Sequence, residues 1–201
     1  DGTDFYRYFR YIEYFMGEIE TPTREQGLFY FWVMSIFIKF SNNFYVPENW
    51  EYIYSTAIQF GYLVFYIVGI FGLIYLMRAR NVSWEKIFLV CSVLNFFPPL
   101  FGGRIIMKPE ILAFAFLPWI ILAIDNYLEK QNYFSLIYAS LLLSIIATSK
   151  GTVALITFVS LGLLYFSKIN LFKIKNLIFP GLIFLLSFYF LYSENVSVNT
   201  I

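Results

Sequence analysis

Charged side chains that could carry out chemistry lie just outside the hydrophobic segments of the sequence. A carboxylate can accept the proton of a hydroxyl nucleophile, and a Lys or Arg side chain can stabilise an anionic phosphate. With residues 1–26 on the outer side, both kinds of group fall on one side of the predicted membrane, and an enzymatic site is expected there. The carboxylates of this set are Asp1, Asp4, Glu13, Glu18, Glu20, Glu25 and Glu110, and its cations are Arg24, Arg104, Lys108 and Lys150.

The composition is typical of a polytopic α-helical membrane protein. Hydrophobic residues make up 60% of the chain and charged residues 13%, whereas a soluble domain has about half and about a quarter. The sequence contains no His, which excludes a His-ligated metal and a Ser-His-Asp triad. The single cysteine, Cys91, excludes an internal disulfide. A net charge of +1 without a basic tract gives no indication of nucleic-acid binding.

Hydrophobic runs predict an all-α transmembrane bundle of about six spans, because a spanning helix needs about 20 mostly apolar residues. The runs are Tyr52–Met77, Ile87–Gly103, Ile111–Ile124, Tyr133–Ser149, Gly151–Ser167 and Asn176–Ser193. A further run, Gly27–Ile38, has a length more typical of an interfacial or re-entrant segment. The chain begins without Met and ends in a polar stretch, so we expect it to be a fragment of a longer protein.

The basic residues of the short loops predict the orientation of the spans, since Lys and Arg are enriched on the cytoplasmic side. Alternating spans place the loops 78–86, 125–132 and 168–175 on one side with seven basic residues, against three on the other. The first side is therefore expected to be cytoplasmic. Expected on the outer side are residues 41–51, the loop 102–110, Lys150 and the start of a further outer loop at 194–201.

The N-terminal stretch has the spacing of an amphipathic helix that lies in the membrane surface. Phe5, Phe9, Ile12 and Met16 are predicted to face the lipid together with Tyr8 and Phe15, and Arg7, Arg10 and Tyr14 to point away. A polar link that contains Pro22 leads to the second, more apolar helix. The residues alone leave the sidedness of 1–26 open: basic residues favour a crossing by 27–38, and the length of that segment disfavours one.

This order of features resembles the first outer loop of the GT-C superfamily of membrane glycosyltransferases, which carries an essential Asp or Glu and two juxtamembrane helices. The stretch "GLFYFWVMS" is similar to the second of those helices. The stretch "GGRIIMKPEILAFAFLPWIILAIDNYLEK" is similar to a later segment, in which an Arg and a Pro-Glu pair introduce a spanning helix. The Pro that usually precedes the Tyr pair is missing here. The resemblance implies that residues 1–51 form an outer-face region with two surface helices, followed by a transmembrane domain at 52–193.

The resemblance also implies the activity and its residues. A multi-pass protein, expected in a bacterial cytoplasmic membrane, would move a sugar from a polyprenyl-phosphate carrier to a lipid, glycan or protein acceptor of the cell envelope. Asp1 or Asp4 would be the general base on the acceptor hydroxyl. No cofactor is certain, and a divalent cation with Asp1 and Asp4 among its ligands is compatible with the pattern. The implied substrate- and phosphate-binding residues are Arg24, Glu25, Arg104, Lys108, Glu110 and Lys150.

Each of these residues also has a purely structural interpretation. Asp4 could cap a helix that starts near Phe5, and Glu110 could be an N-terminal helix residue favoured by the helix dipole. Lys150, with Gly151, could form only a tight turn between two helices. Arg104 and Lys108 could anchor helix ends by snorkelling, and Glu25 could belong to a solvated linker.

Other functions compete with glycosyl transfer. A transporter or a lipid or glycan flippase would need charged or broken helices near the middle of the membrane, where this sequence offers few polar residues such as Gln59 and Asn95. A glycan polymerase or ligase would use a related outer site with a lipid-linked oligosaccharide. A non-catalytic membrane subunit is the remaining alternative.

Overall fold

The computed structural model describes residues 2–18, 29–42, 50–96, 108–165 and 175–197, and in these ranges all regular structure is helical. This confirms the all-α class. The helices are α1 (Gly2–Met16), α2 (Phe29–Asn42), α3 (Trp50–Ala79), α4 (Trp84–Asn95), α5 (Ile111–Lys130), α6 (Tyr133–Ser149), α7 (Gly151–Tyr165) and α8 (Lys175–Ser197).

Two of these helices are long and apolar enough to cross a membrane. They are Thr56–Ala79 of α3, with a mean hydropathy of 2.1, and α5, with a mean hydropathy of 1.9. At about 1.5 Å per residue, 20 residues reach about 30 Å, the thickness of a hydrocarbon core. The apolar parts of α2, α6, α7 and α8 are shorter. Membrane association is thus supported by two helices, and the bundle of six spans stays a prediction.

Capping residues between α5 and α6 explain why these helices form a tight helical hairpin. Gln131 adopts a left-handed conformation with φ 53°, which ends α5 while its N–H donates to the Tyr127 carbonyl over 2.7 Å. Asn132 then caps α6, because its side chain accepts a hydrogen bond of 3.1 Å from the Phe134 N–H. The two helices therefore run antiparallel with two residues between them.

Contacts along α5 define the two ends of the bundle. α3 runs parallel to α5: Tyr66 stacks on Phe114 with ring centroids 5.5 Å apart, and farther along Arg80 Nη2 lies 2.9 Å from Asp125 Oδ2. At the start of α5, Glu110 pairs with Lys150, which follows α6. We call these the Glu110 end and the Asp125 end.

Both N-terminal helices pack at the Glu110 end. α1 and α2 share one buried cluster with the first turns of α3 and α5, where Ile111 and Leu112 are buried. Tyr11 stacks on Phe31 with centroids 4.9 Å apart. Lys39 Nζ donates to the Phe15 carbonyl over 3.0 Å, which ties α2 to the end of α1.

This packing corrects the predicted orientation of α1. Phe9 and Ile12 do not face lipid; they are 7% and 0% exposed within the protein core. Tyr14 was assigned to the polar face, yet it is 2% exposed. The helix is amphipathic as predicted, since Arg10 is exposed, but its apolar face contacts α2. The spacing of apolar residues identifies the buried face of a helix and does not distinguish lipid from a second helix as its partner.

Glycines allow α3 to approach α5 closely. A Cβ added at Gly72 would lie 2.6 Å from Trp119 Nε1, and one at Gly69 would lie 2.8 Å from the Phe114 carbonyl oxygen. The close approach lets Trp119 Nε1 donate to the Val68 carbonyl over 3.1 Å. Small residues serve this purpose in packed membrane helices.

Gly72→Ala is therefore expected to destabilise the protein by about 1–3 kcal/mol, the usual cost of overpacking a filled core. The measurement is the midpoint of thermal unfolding of the purified protein in detergent. Gly162→Ala is the matched control, because a Cβ there meets no atom within 4 Å. The control should keep or raise the midpoint, since Ala favours helix over Gly by about 1 kcal/mol. Equal losses in both variants would show that the α3–α5 approach does not need the glycine.

Candidate functional site

An ion pair between Glu110 and Lys150 is the centre of the candidate site. Glu110 occupies the N-cap position of α5, and Lys150 is the one residue that links α6 to α7. Lys150 Nζ donates to Glu110 Oε1. The Lys150 side chain is 27% exposed and the Glu110 side chain is 39% exposed, so the ion pair is partly accessible from outside. A cation held in this way can release its carboxylate partner and bind an incoming anion instead.

A buried tyrosine belongs to the cluster at the same end of the bundle. Tyr30 of α2 is 0% exposed, and burial first, then the nearby Tyr62 and Glu110, raise the pKa of its phenol. In the described part of the chain, Tyr30 Oη and Glu110 Oε2 are the buried side-chain polar atoms without a hydrogen-bond partner. Such atoms are uncommon in proteins, and they need a physical explanation.

The helices hold these groups in place for local reasons. Lys150 is extended, with φ −154° and ψ 108°, which ends α6, and its carbonyl accepts from the Ala154 N–H of α7. Glu110 follows Pro109, and its carbonyl accepts from the Ala113 and Phe114 N–H groups. The backbone of both residues is thus fixed by a helix, which limits the movement of their side chains.

The structure brings some of the predicted site residues together and leaves others outside the described ranges. Glu110 and Lys150 are in direct contact. Lys108 is exposed two residues before Glu110. Asp4 belongs to the first turn of α1, although its side chain lies outside the description. The predicted residues Asp1, Arg24, Glu25 and Arg104 fall outside the described residues.

The structural interpretations of Asp4, Glu110 and Lys150 agree with the geometry to different degrees. α1 begins at Gly2, so Asp4 lies within the helix. The interpretation of Asp4 as the capping residue before a helix that starts near Phe5 is therefore wrong. Glu110 stands at an N-cap, but its side chain makes no capping hydrogen bond and binds Lys150 instead. Lys150 does form the tight turn before Gly151, and it carries the ion pair as well.

A shallow open cavity of about 330 Å³ lies on the N-terminal half of α3. Its lining is mostly apolar and includes Thr56, Gln59, Phe60, Tyr62 and Leu63. Tyr62 belongs to the same buried cluster as Ile111 and Leu112 of α5, so the cavity lies at the Glu110 end. An apolar groove at the same bundle end as a charged pair suits an amphiphilic ligand.

A second polar cluster occupies the Asp125 end. Asp125 pairs with Arg80 over 2.9 Å and accepts a hydrogen bond of 2.7 Å from the Tyr165 hydroxyl. The hydrogen bond that Arg80 donates to Asp125 is the largest influence that raises the pKa of Arg80. Asp125 thus pairs with both Arg80 and Tyr165, and these contacts join the end of α3 to α5 and α7. Sequence reasoning placed Asp125 in a loop and gave no signal of this contact, which depends on the packing of three helices.

Glu13 of α1 is influenced by charged neighbours in its own segment. Burial raises the pKa of Glu13, repulsion by Glu18 raises it further, and Arg10 partly opposes both. No group of three Asp, Glu, His or Cys side chains that could hold a metal ion occurs among the described residues. Asp1 and the side chain of Asp4, which carried the divalent-cation prediction, are outside that set.

Comparisons with known proteins add no relative to this picture. A scan against protein-family models gave no match, and searches of curated proteins and of solved structures gave none either.

Proposed function

We propose that the protein is an integral-membrane glycosyltransferase that moves a sugar from a polyprenyl-phosphate carrier to an acceptor hydroxyl at the outer face of the membrane. The observation that carries the proposal is the partly exposed Glu110–Lys150 pair at the bundle end where α1 and α2 pack. The proposal also rests on the resemblance of the sequence layout to GT-C glycosyltransferases.

The exposed surfaces of the helices support a lipid environment. Large apolar side chains are exposed at helical intervals along α3, where Phe60, Leu63, Ile67 and Phe71 are 43–56% exposed. Similar faces occur on α4, α7 and α8. Soluble monomers rarely expose continuous apolar patches of this extent. We therefore propose that α3 to α8 form the multi-pass domain, with α1 and α2 at its surface.

The charges at the two ends support the proposed orientation. In the loops that join α3 to α7, the Asp125 end carries Arg78, Arg80, Lys86 and Lys130, and the Glu110 end carries Lys108 and Lys150 among the described residues. The surface helices α1 and α2 add Arg7, Arg10 and Lys39 at the Glu110 end. Cytoplasmic loops are enriched in Lys and Arg. The Glu110 end is accordingly proposed to face outward, where the head group of a flipped polyprenyl-phosphate sugar lies.

The proposed reaction needs a base and a cation. The acceptor oxygen attacks the anomeric carbon of the sugar, its proton passes to the carboxylate of Asp1 or Asp4, and the bond from that carbon to the phosphate oxygen breaks. The electron pair leaves with polyprenyl phosphate. Lys150 is proposed to stabilise the charge that develops on this phosphate, and Lys108, exposed at the same end, adds to the positive potential.

The transporter alternative receives less support. Charged residues of α2 to α8 lie in the first or last turns of these helices, except Asp125, which lies close to the Asp125 end of α5. Ion-coupled transport generally uses ionisable groups inside the membrane. Asn95, a polar candidate within α4, accepts a hydrogen bond of 2.5 Å from Tyr66 and donates to the Cys91 carbonyl, which is a structural role.

The orientation can be tested by labelling single cysteines in intact cells. In a Cys91→Ser background, Glu18→Cys places a thiol at the exposed end of α1 and Lys130→Cys places one at the Asp125 end. A membrane-impermeant maleimide should label the first variant in intact cells and the second only after permeabilisation. The reverse labelling pattern would place α1 in the cytoplasm and contradict a reaction at the outer face of the membrane.

A further inference from the structure

We infer that the groove on the N-terminal half of α3 binds one diacyl lipid of the surrounding bilayer. In this site the Gln59 amide donates a hydrogen bond to an ester carbonyl of the lipid, and an acyl chain lies along Leu63. The inference goes beyond glycosyl transfer and does not depend on it. It requires only that α3 lies in a membrane, which the length and apolar character of Thr56–Ala79 support.

The groove has polar residues toward the start of the spanning segment and an apolar residue farther along it. Thr56, which begins the segment, and Gln59 line the groove, and Leu63 lines it one turn farther along α3. At about 1.5 Å per residue, Gln59 lies about 5 Å inside the start of the segment, close to the edge of the hydrocarbon core. This order fits an amphiphile whose polar part lies at Gln59 and whose chain extends past Leu63.

Gln59 presents a polar amide on a surface that otherwise suits hydrocarbon. Its neighbours on that surface, Phe60 and Leu63, are 54% and 43% exposed, and Gln59 is itself exposed. Within the described part of the chain, its side chain makes no hydrogen bond. An amide without a partner is costly at the edge of hydrocarbon, so a hydrogen-bond acceptor of the lipid is expected to bind it.

The depth of this amide distinguishes two kinds of lipid. A diacyl lipid carries ester carbonyls, which accept hydrogen bonds, between its head group and its chains. A polyprenyl phosphate carries hydrocarbon directly after its phosphate, so it would leave the Gln59 amide unpaired. The described lining residues of the groove are also uncharged, so they offer no ion pair to a phosphate. The chemistry of the groove therefore favours a diacyl lipid of the bilayer.

Helix α2 supports one side of the groove. The Phe37 ring of α2 meets the Phe60 ring edge-on, with centroids 6.0 Å apart. A Cβ added at Gly61 would lie 2.8 Å from Phe37 Cδ2 and 2.9 Å from Met34 Sδ, so α2 packs closely against α3 beside Phe60. A groove whose shape is fixed before binding reduces the entropic cost of holding one lipid.

Native mass spectrometry of the purified full chain in detergent tests the hydrogen bond. The protein is titrated with dioleoylphosphatidylcholine and with its diether analogue, which has the same head group but no ester carbonyl. The diester should bind about fivefold more tightly, the factor expected for one hydrogen bond, and Gln59→Leu should bind both lipids equally. Equal affinities in the unmodified protein, or an unchanged preference in Gln59→Leu, would overturn the inference.

A matched pair of apolar variants tests the position of the acyl chain. Leu63 and Ile67 are both 43% exposed on α3, and of the two only Leu63 lines the groove. Leu63→Ala should weaken the binding of both lipids by about fivefold through lost apolar contact, and Ile67→Ala should leave it unchanged. Equal losses in the two variants would contradict a defined groove. Tighter binding of a polyprenyl phosphate than of the diester would overturn the choice of a diacyl lipid.

Discussion

Lys150→Met should lower sugar transfer by about 10²–10³-fold, since this is the usual loss when one group that stabilises transition-state charge is removed. Lys150 is fixed by the one-residue link between α6 and α7, and its ammonium group lies on the half-exposed side of Glu110. When the phosphate leaves, this ammonium is a cation that is already held at the site by its contact with Glu110. The measurement is transfer from a labelled polyprenyl-phosphate sugar by the purified protein.

A second variant separates this role from stability. Lys150→Met alone leaves the Glu110 carboxylate unpaired, with Oε2 buried, so part of its effect could come from partial unfolding. Glu110→Gln/Lys150→Met removes both charges and should restore most of the unfolding midpoint without restoring transfer. Recovery of transfer in the double variant would show that Lys150 acts only by neutralising Glu110. Lys130→Met, an exposed cation at the Asp125 end, should leave transfer unchanged.

The helical segments could be predicted from the sequence because hydrophobic length and local capping determine them. The predicted run Tyr133–Ser149 coincides with α6, since Asn132 and Lys150 mark its ends by capping and by an extended backbone. The run Ile111–Ile124 was too short, because Asp125 and the residues after it were assigned to a loop. In the structure, Asp125 and the following residues continue α5 to Lys130. Arg80 and Tyr165 pair with the Asp125 carboxylate there.

The candidate site could be predicted only in part. Glu110 and Lys150 were both expected at the outer end, because each follows from the alternation of the helices. Their contact spans forty positions of sequence and depends on the antiparallel packing of α5 and α6. Tyr30 gave no signal at all, since an aromatic residue in an apolar helix usually belongs to a core. Only the burial of its hydroxyl distinguishes it.

The remaining question in the proposed mechanism is which carboxylate accepts the proton, and we expect Asp4 rather than Asp1. A general base must be held at a fixed distance from its substrate. Asp4 lies in the first turn of α1, one turn before Tyr8, and Tyr8 packs against Phe31 with ring centroids 5.4 Å apart. Phe31 is next to Tyr30 in sequence, so the backbone of Asp4 is anchored to the helix that carries the candidate site.

Asp4→Asn should therefore lower kcat by about 10²–10⁴-fold, the typical contribution of a positioned general base, with a smaller change in KM. Asp1→Asn should retain most of the activity. Glu13→Gln is the matched control, because it removes a carboxylate of the same helix nine positions beyond Asp4, and transfer should be unchanged. Loss of activity in Asp1→Asn alone would move the base to that residue, and full activity in both Asp variants would remove α1 from the chemistry.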